Sequence, residues 1–135
     1  MTAKELSQLY YLNLEIEHDT KRLAELESRR GLSAVNMDGM PHVKGMTKSQ
    51  VEQLVAEIVD LRAIIMSKQI QCIHERNRLE RYIAEIPDAF IRQIFTYRFA
   101  QCMTWGEVAA HIGGPNTKDS VRMTAKRYLE NSEEN

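Results

Sequence analysis

From Val51 to Ile86 the sequence repeats in alternating steps of three and four: Val51, Leu54, Ile58, Leu61, Ile65, Lys68, Cys72, Glu75, Leu79, Tyr82 and Ile86. A strand would need a step of two, so only a helix turns these positions onto one face. No glycine or proline interrupts residues 46–86. The pattern predicts a helix over Ser49 to Ile86, roughly 55–60 Å long at 1.5 Å per residue. Its heptad seam needs a partner surface.

A shorter helix is predicted over Thr2 to Arg30, where Leu9, Leu12, Ile16, Leu23 and Leu26 form an apolar stripe with Asp19 in its middle. At about 43 Å it is too short to cover the second helix. Between them, residues 31–47 contain Gly31, Gly39, Pro41 and Gly45 together with Met37, Met40 and Met46, and read as a long loop. The expected arrangement is an antiparallel hairpin, residues 1–86, whose overhanging end, Leu79 included, is covered by the C-terminal region or by a second copy, which makes a homodimer the expected state. Lys68 and Glu75 interrupt the seam one repeat apart. Such residues either set register and oligomer state or lie at the edge of the buried stripe.

Composition narrows the function classes. The chain has 135 residues and a formal net charge of -1. That balance argues against a protein coating nucleic acid non-specifically, since such binding scales with the phosphates neutralised. No run of 18 apolar residues occurs and Lys4 and Glu5 charge the N-terminus, so a cytoplasmic protein is expected. Cys72 and Cys102 stand thirty residues apart with no CxxC pair, and are expected to be reduced core residues. Four scattered histidines and the absence of a phosphate-cradling loop or a nucleophile elbow leave no catalytic, metal or cofactor site to expect.

Residues 87–135 carry the informative chemistry. Pro87 closes the long helix, and Asp88 is a candidate N-cap for a third helix with apolar positions Ile91, Ile94, Phe95, Phe99 and Cys102. Thr104-Trp105-Gly106-Glu107 has the capping-box spacing, in which threonine bonds the amide three residues on and glutamate reaches back. The short helix that follows presents Trp105, Val108, Ala109 and Ile112, with Trp105 expected as a core anchor, and stops at Gly113-Gly114. Asn116 or Thr117 then caps a last helix running to about Glu130. Its inward face is Val121, Thr124, Ala125, Tyr128 and Leu129.

Two short helices joined by a glycine turn outline a helix-turn-helix. Residues 115–128 hold Lys118, Arg122, Lys126 and Arg127 against Asp119 alone, a local +3 on a balanced chain, before an acidic tail at Glu130, Glu133 and Glu134. With the apolar face inward, the candidate DNA-binding residues are Asn116, Thr117, Lys118, Ser120, Arg122, Met123, Lys126 and Arg127. Those from Asn116 to Arg122 are placed for base edges, and Lys126 and Arg127 for phosphates. An ordinary three-helix bundle with a solvated basic face explains the same pattern.

The run Trp105, Val108, Ala109, Ile112, Gly113, Asn116, Thr117, Asp119, Ser120, Val121, Arg122 resembles region 4 of sigma-70-like factors as found in small phage and prophage proteins. The whole chain is similar to a phage family with a coiled-coil N-terminal half, a segment like Met40-Pro41-His42, and a region-4-like end, some of whose members are late transcription regulators of the ArpU or RinA type. The turn from Gly113 to Thr117 is a residue or two longer than in ordinary region 4. Nothing resembles the sigma region that melts DNA, so a complete sigma factor is excluded. The resemblance implies an all-α, non-enzymatic transcriptional regulator that binds double-stranded DNA sequence-specifically, its region-4-like end contacting either host RNA polymerase or a promoter alone. A DNA-packaging protein of the small-terminase kind and a protein-interaction adaptor that binds no DNA are the competing expectations.

Overall fold

The computed structural model describes residues 1–37 and 47–134, with side chains described for 1–31 and 47–134. The chain is all-α. Its elements are α1 (Ala3–Leu6), α2 (Gln8–Met37), α3 (Lys48–Ala84), α4 (Ala89–Phe95), a π-helical turn (Thr96–Ala100), α5 (Trp105–Ile112) and α6 (Lys118–Glu133). No strand occurs among the described residues. Two compact units form, one from Leu14–Ile70 and the other from Met1–Asn13 together with Gln71–Asn135. The boundaries fall inside the long helices and not at Pro87.

The Leu14–Ile70 unit is a pair of antiparallel helices. Glu27 bonds Arg62 while Asp19 and Glu15 both reach Lys68, so the contact climbs one helix as it descends the other. Leu26, Leu54, Ile58, Leu61 and Ile65 are its buried residues, with Ile16 and Leu23 packed against them. Each buried aliphatic of this size contributes about 1.5–3 kcal/mol relative to exposure. Every α3 seam position in this unit from Val51 to Lys68 is buried or half-buried, as the heptad requires. Thr47 starts α3: its hydroxyl accepts from the Gln50 amide at 3.2 Å and the Gln50 side chain accepts from the Thr47 amide at 2.8 Å. This Thr-x-x-Gln box is written in the sequence, inside the stretch read as loop.

The loop expectation is corrected at its other end as well, because α2 continues through Gly31 to Met37. Nothing lies within 4 Å of where a Cβ would stand on Gly31. An exposed helical glycine costs about 1 kcal/mol, too little to stop a helix already propagating for several turns. Residues 38–46, with Met40, Pro41 and Met46, lie outside the described residues.

Asp19 and Lys68, the polar interruptions of the two stripes, meet each other. Lys68 Nζ stands 2.6 Å from Asp19 Oδ2 and 3.4 Å from Glu15 Oε2, with the Lys68 and Asp19 side chains 24% and 21% exposed. The hydrogen bond from Lys68 to Asp19 raises the lysine pKa above its ordinary value. A raised cation stabilises the fold fully below the ordinary lysine pKa, and the contribution disappears as pH climbs through the raised one.

In the other unit, Leu6, Leu9, Leu79, Ile83, Ile86, Ile94, Phe95, Phe99, Val108, Val121 and Leu129 form one core. Leu79 is therefore not an overhang. It is 0% exposed, covered from within the same chain. The first residues of the sequence complete this core: Thr2 caps α1 in a reciprocal box with Glu5, which turns Leu6 inward. The amide of Thr2 bonded to the Glu5 carboxylate holds that carboxyl below its ordinary pKa. Glu75, the other polar seam residue, is half-buried and meets Arg78 at 3.5 Å, and Arg78 also reaches Glu5 at 3.6 Å.

Asp88 caps α4 as its position implies, accepting from the Phe90 amide at 2.8 Å. Arg92 turns back and donates to the carbonyls of Ile86 at 2.6 Å and Pro87 at 3.1 Å, which stand just beyond the end of α3. The third helix does not run regularly to Cys102. After Phe95 the backbone widens into a π turn, closed by the Gln101 amide on the Thr96 carbonyl at 2.9 Å, and Cys102 takes φ 57°. The extra residue per turn keeps Phe95, Phe99 and Ala100 all buried. Cys72 and Cys102 are half-buried free thiols, not core residues, and lie at the two ends of the Asn13 amide, each 3.6 Å from it. Burial raises the Cys72 thiol pKa.

Two outcomes follow from this packing. Asp19→Ala should lower stability in urea unfolding by about 1–3 kcal/mol, the range for a hydrogen bond to a charged group, whereas the Asp19→Leu/Lys68→Leu double replacement should recover most of the loss. Leu79→Ala should cost about 2–5 kcal/mol in the same measurement, because it empties a site with no exposed surface.

Candidate functional site

The cationic end of the molecule is built on α5 and α6, joined by residues 113–117. Thr104 starts α5 by accepting from the Glu107 amide at 3.2 Å. The reciprocal half expected of Glu107 does not form among the described residues, so the capping box is half made. The helix stops at Gly113 and Gly114, with φ of 75° and 65°, in the left-handed region where a side chain is strained. Val108 and Ala109 are buried against the core, and α4 packs on both α5 and α6.

The start of α6 is held by a device the sequence reading did not find. Thr117 accepts from the Ser120 amide at 3.1 Å, and Ser120 Oγ accepts from the Thr117 amide at 2.9 Å. The signal was present as Thr-x-x-Ser, with serine in the place usual for glutamate or glutamine. Asn116 donates to the Gly113 carbonyl at 2.9 Å, bracing the turn. Among the eight candidate residues, then, Asn116, Thr117 and Ser120 have their side chains committed to local structure.

The other five divide by exposure. Lys118, Arg122, Lys126 and Arg127 are exposed, and Met123 is half-buried. Val121, Ala125 and Leu129 are buried, with Thr124 and Tyr128 half-buried, so the inward face is the expected one. Arg122 stands 3.7 Å from Asp119, one turn back on the same helix. Lys118, Lys126 and Arg127 form no ion pair among the described residues. Arg122 and Lys126 lie one turn apart along one edge of α6, while Arg127 lies on the other.

That edge borders a groove of about 380 Å³, floored by Phe99, Trp105 and Leu129. Trp105 is half-buried rather than a closed core anchor. One edge meets Phe99, with ring centroids 6.3 Å apart, and the Arg98 guanidinium lies over its face at 4.6 Å. Arg98 also donates to the Met103 carbonyl at 2.9 Å. The π turn is what carries Arg98 to this place, and the heptad and helical periods contain no trace of it. Arg98 thus joins Arg122 and Lys126 around one groove, which Glu130 and Glu133 also line.

Among the described residues no group of three or more histidine, cysteine or carboxylate side chains is placed to hold a metal ion. Nor, among the described residues, is any helix long and apolar enough to cross a membrane. What the site offers is a rigidly capped helix start beside fixed cations. Thr117→Ala should cost about 0.5–2 kcal/mol of stability by thermal or urea unfolding, the usual range for an N-cap, and Thr117→Asn should be nearly silent. No family model, curated protein or solved structure matches this chain.

Proposed function

We propose that the chain is a sequence-specific, double-stranded-DNA-binding transcriptional regulator of phage or prophage origin. In this reading α5 and α6 form a helix-turn-helix and α6 enters the major groove. The observation that carries it is the exposed positive charge of residues 118–128 of α6, where Lys118, Arg122, Lys126 and Arg127 stand against Asp119 alone, ahead of Glu130 and Glu133 in its last turn. Three of its four cations have no carboxylate within salt-bridge distance among the described residues. Unpaired cations along one helix present a positive field that suits the phosphates of a duplex.

Roles follow from position. Lys118 and Arg122 stand in the N-terminal half of α6, nearest base edges; Arg122 has the planar fork that pairs with guanine O6 and N7. Its contact with Asp119, exposed and 3.7 Å long, is weak enough to exchange for a base. Lys126 and Arg127 lie farther along and meet phosphates, joined by Arg98. Asn116, Thr117 and Ser120 act through the backbone they hold. The resemblance to sigma region 4 adds host RNA polymerase, or a promoter alone, as what the domain contacts, and this reading goes with a cytoplasmic protein.

Arg122→Ala should lower the discrimination between a selected duplex and a scrambled one by about 1–3 kcal/mol while leaving non-specific affinity nearly intact. Lys126→Ala should weaken both duplexes alike and reduce the slope of log K against log salt by about one unit. Fluorescence anisotropy at several salt concentrations reads both. If neither variant changes binding at any salt, α6 is not the reading element and the adaptor reading replaces this one.

A further inference from the structure

α3 carries a second apolar row. Within the Leu14–Ile70 unit, Val59, Met66 and Ile70 are 56%, 62% and 49% exposed. With the exposed Ala63 they recur in steps of four, three and four, the spacing of a coiled-coil seam. At 100° per residue this row lies about 140° around the helix from the buried row of Leu54, Ile58, Leu61 and Ile65. A helix apolar on two faces is one built to be covered on both.

The charges of this helix are arranged to the same end. Lys68 is drawn to Asp19 and Glu15, and Arg62 to Glu27, all on α2. The outward row is left with Glu52 one heptad before Val59, Asp60, Ser67 and Gln69 at its margins, and Arg62 at the edge. A lipid surface selects apolar rows margined by lysine and arginine, which these are not. A charged partner would find no complementary field.

We infer that this row is the interface with a second copy of the chain, paired about a two-fold axis. Such an interface must be complementary to itself. Paired in parallel, Asp60 faces the second copy's Val55 and Arg62 its Ser67. Paired antiparallel about residues 64–65, Asp60 faces Ser67 and Arg62 faces Gln69. In the parallel pairing Glu52, exposed and one heptad before Val59 on the same row, meets the Glu52 of the second copy; in the antiparallel pairing it lies away from its own copy and no like charges meet, so the two copies run antiparallel. The inference keeps the homodimer expected from the sequence and moves its contact from the Leu79 end of α3 to the outward middle of that helix; it does not rest on the DNA-binding reading.

The test needs no DNA, so its failure is separable from failure of that reading. Light scattering on the full chain, at protomer concentrations on the order of 100 μM, should give twice the protomer mass of 15.6 kDa. Val59→Glu/Met66→Glu should return it to 15.6 kDa. The near-isosteric Val59→Thr/Met66→Gln variant, checked for unchanged helicity by circular dichroism, should raise the dissociation constant at least tenfold. Ile64→Glu, on the opposite flank of α3, should leave the mass unchanged. A monomeric wild type, a dimer indifferent to the isosteric pair, or equal dissociation by Ile64→Glu each overturns the inference.

Discussion

Phe95 has no exposed surface, and rings from three other parts of the chain pack on it. Tyr82 from the end of α3 stacks at 6.4 Å between centroids, Phe99 from the π turn meets it edge-on at 5.2 Å, and Tyr128 from α6 edge-on at 5.6 Å. Each aromatic pair adds roughly 0.5–1.5 kcal/mol beyond the area it buries. More important is what the ring correlates. The π turn exists where α4 must deliver Phe95 and Phe99 to the same core, and that widened turn swings Arg98 onto Trp105. The position of α6, and with it the four exposed cations, is thus tied to one side chain with no charge of its own.

Polar residues in the long helices follow a different logic. A lysine at a heptad seam position loses hydration whatever it meets, and an unpartnered one would cost several kcal/mol. Asp19 and Lys68 solve this by meeting each other, with Glu15, one turn before Asp19, also within reach of the lysine. The pairing offsets the cost of the half-buried charge more than it adds stability.

Much of the candidate site was legible. The inward face Val121, Ala125 and Leu129 and the outward cations Lys118, Arg122, Lys126 and Arg127 stand as the helical period places them. The stop at Gly113 and Gly114 was readable because only glycine takes a positive φ at little cost. The commitment of Asn116, Thr117 and Ser120 to capping was less so, since a polar side chain near a helix start serves a cap or a ligand with the same atoms. Arg98 was illegible altogether. Its place depends on a backbone irregularity that no periodicity encodes.

The heptad from Val51 determined the long helix unaided, because a three-four repeat over thirty-five residues satisfies no other backbone. The same repeat could not say what would cover it. Leu54, Ile58 and Leu61 are buried against α2, while Leu79 is buried in a core completed by Leu6 at the far end of the sequence. Periodicity reports that a face is apolar, and the identity of the opposing surface is a property of chain crossings separated by as many as seventy residues. In the same way Gly31 read locally as a stop and proved helical, since the cost of one exposed glycine is set against the whole helix it interrupts. Local steric and hydrogen-bonding rules decided the helices; the distribution of buried area between distant segments, available only once the chain is folded, decided their partners.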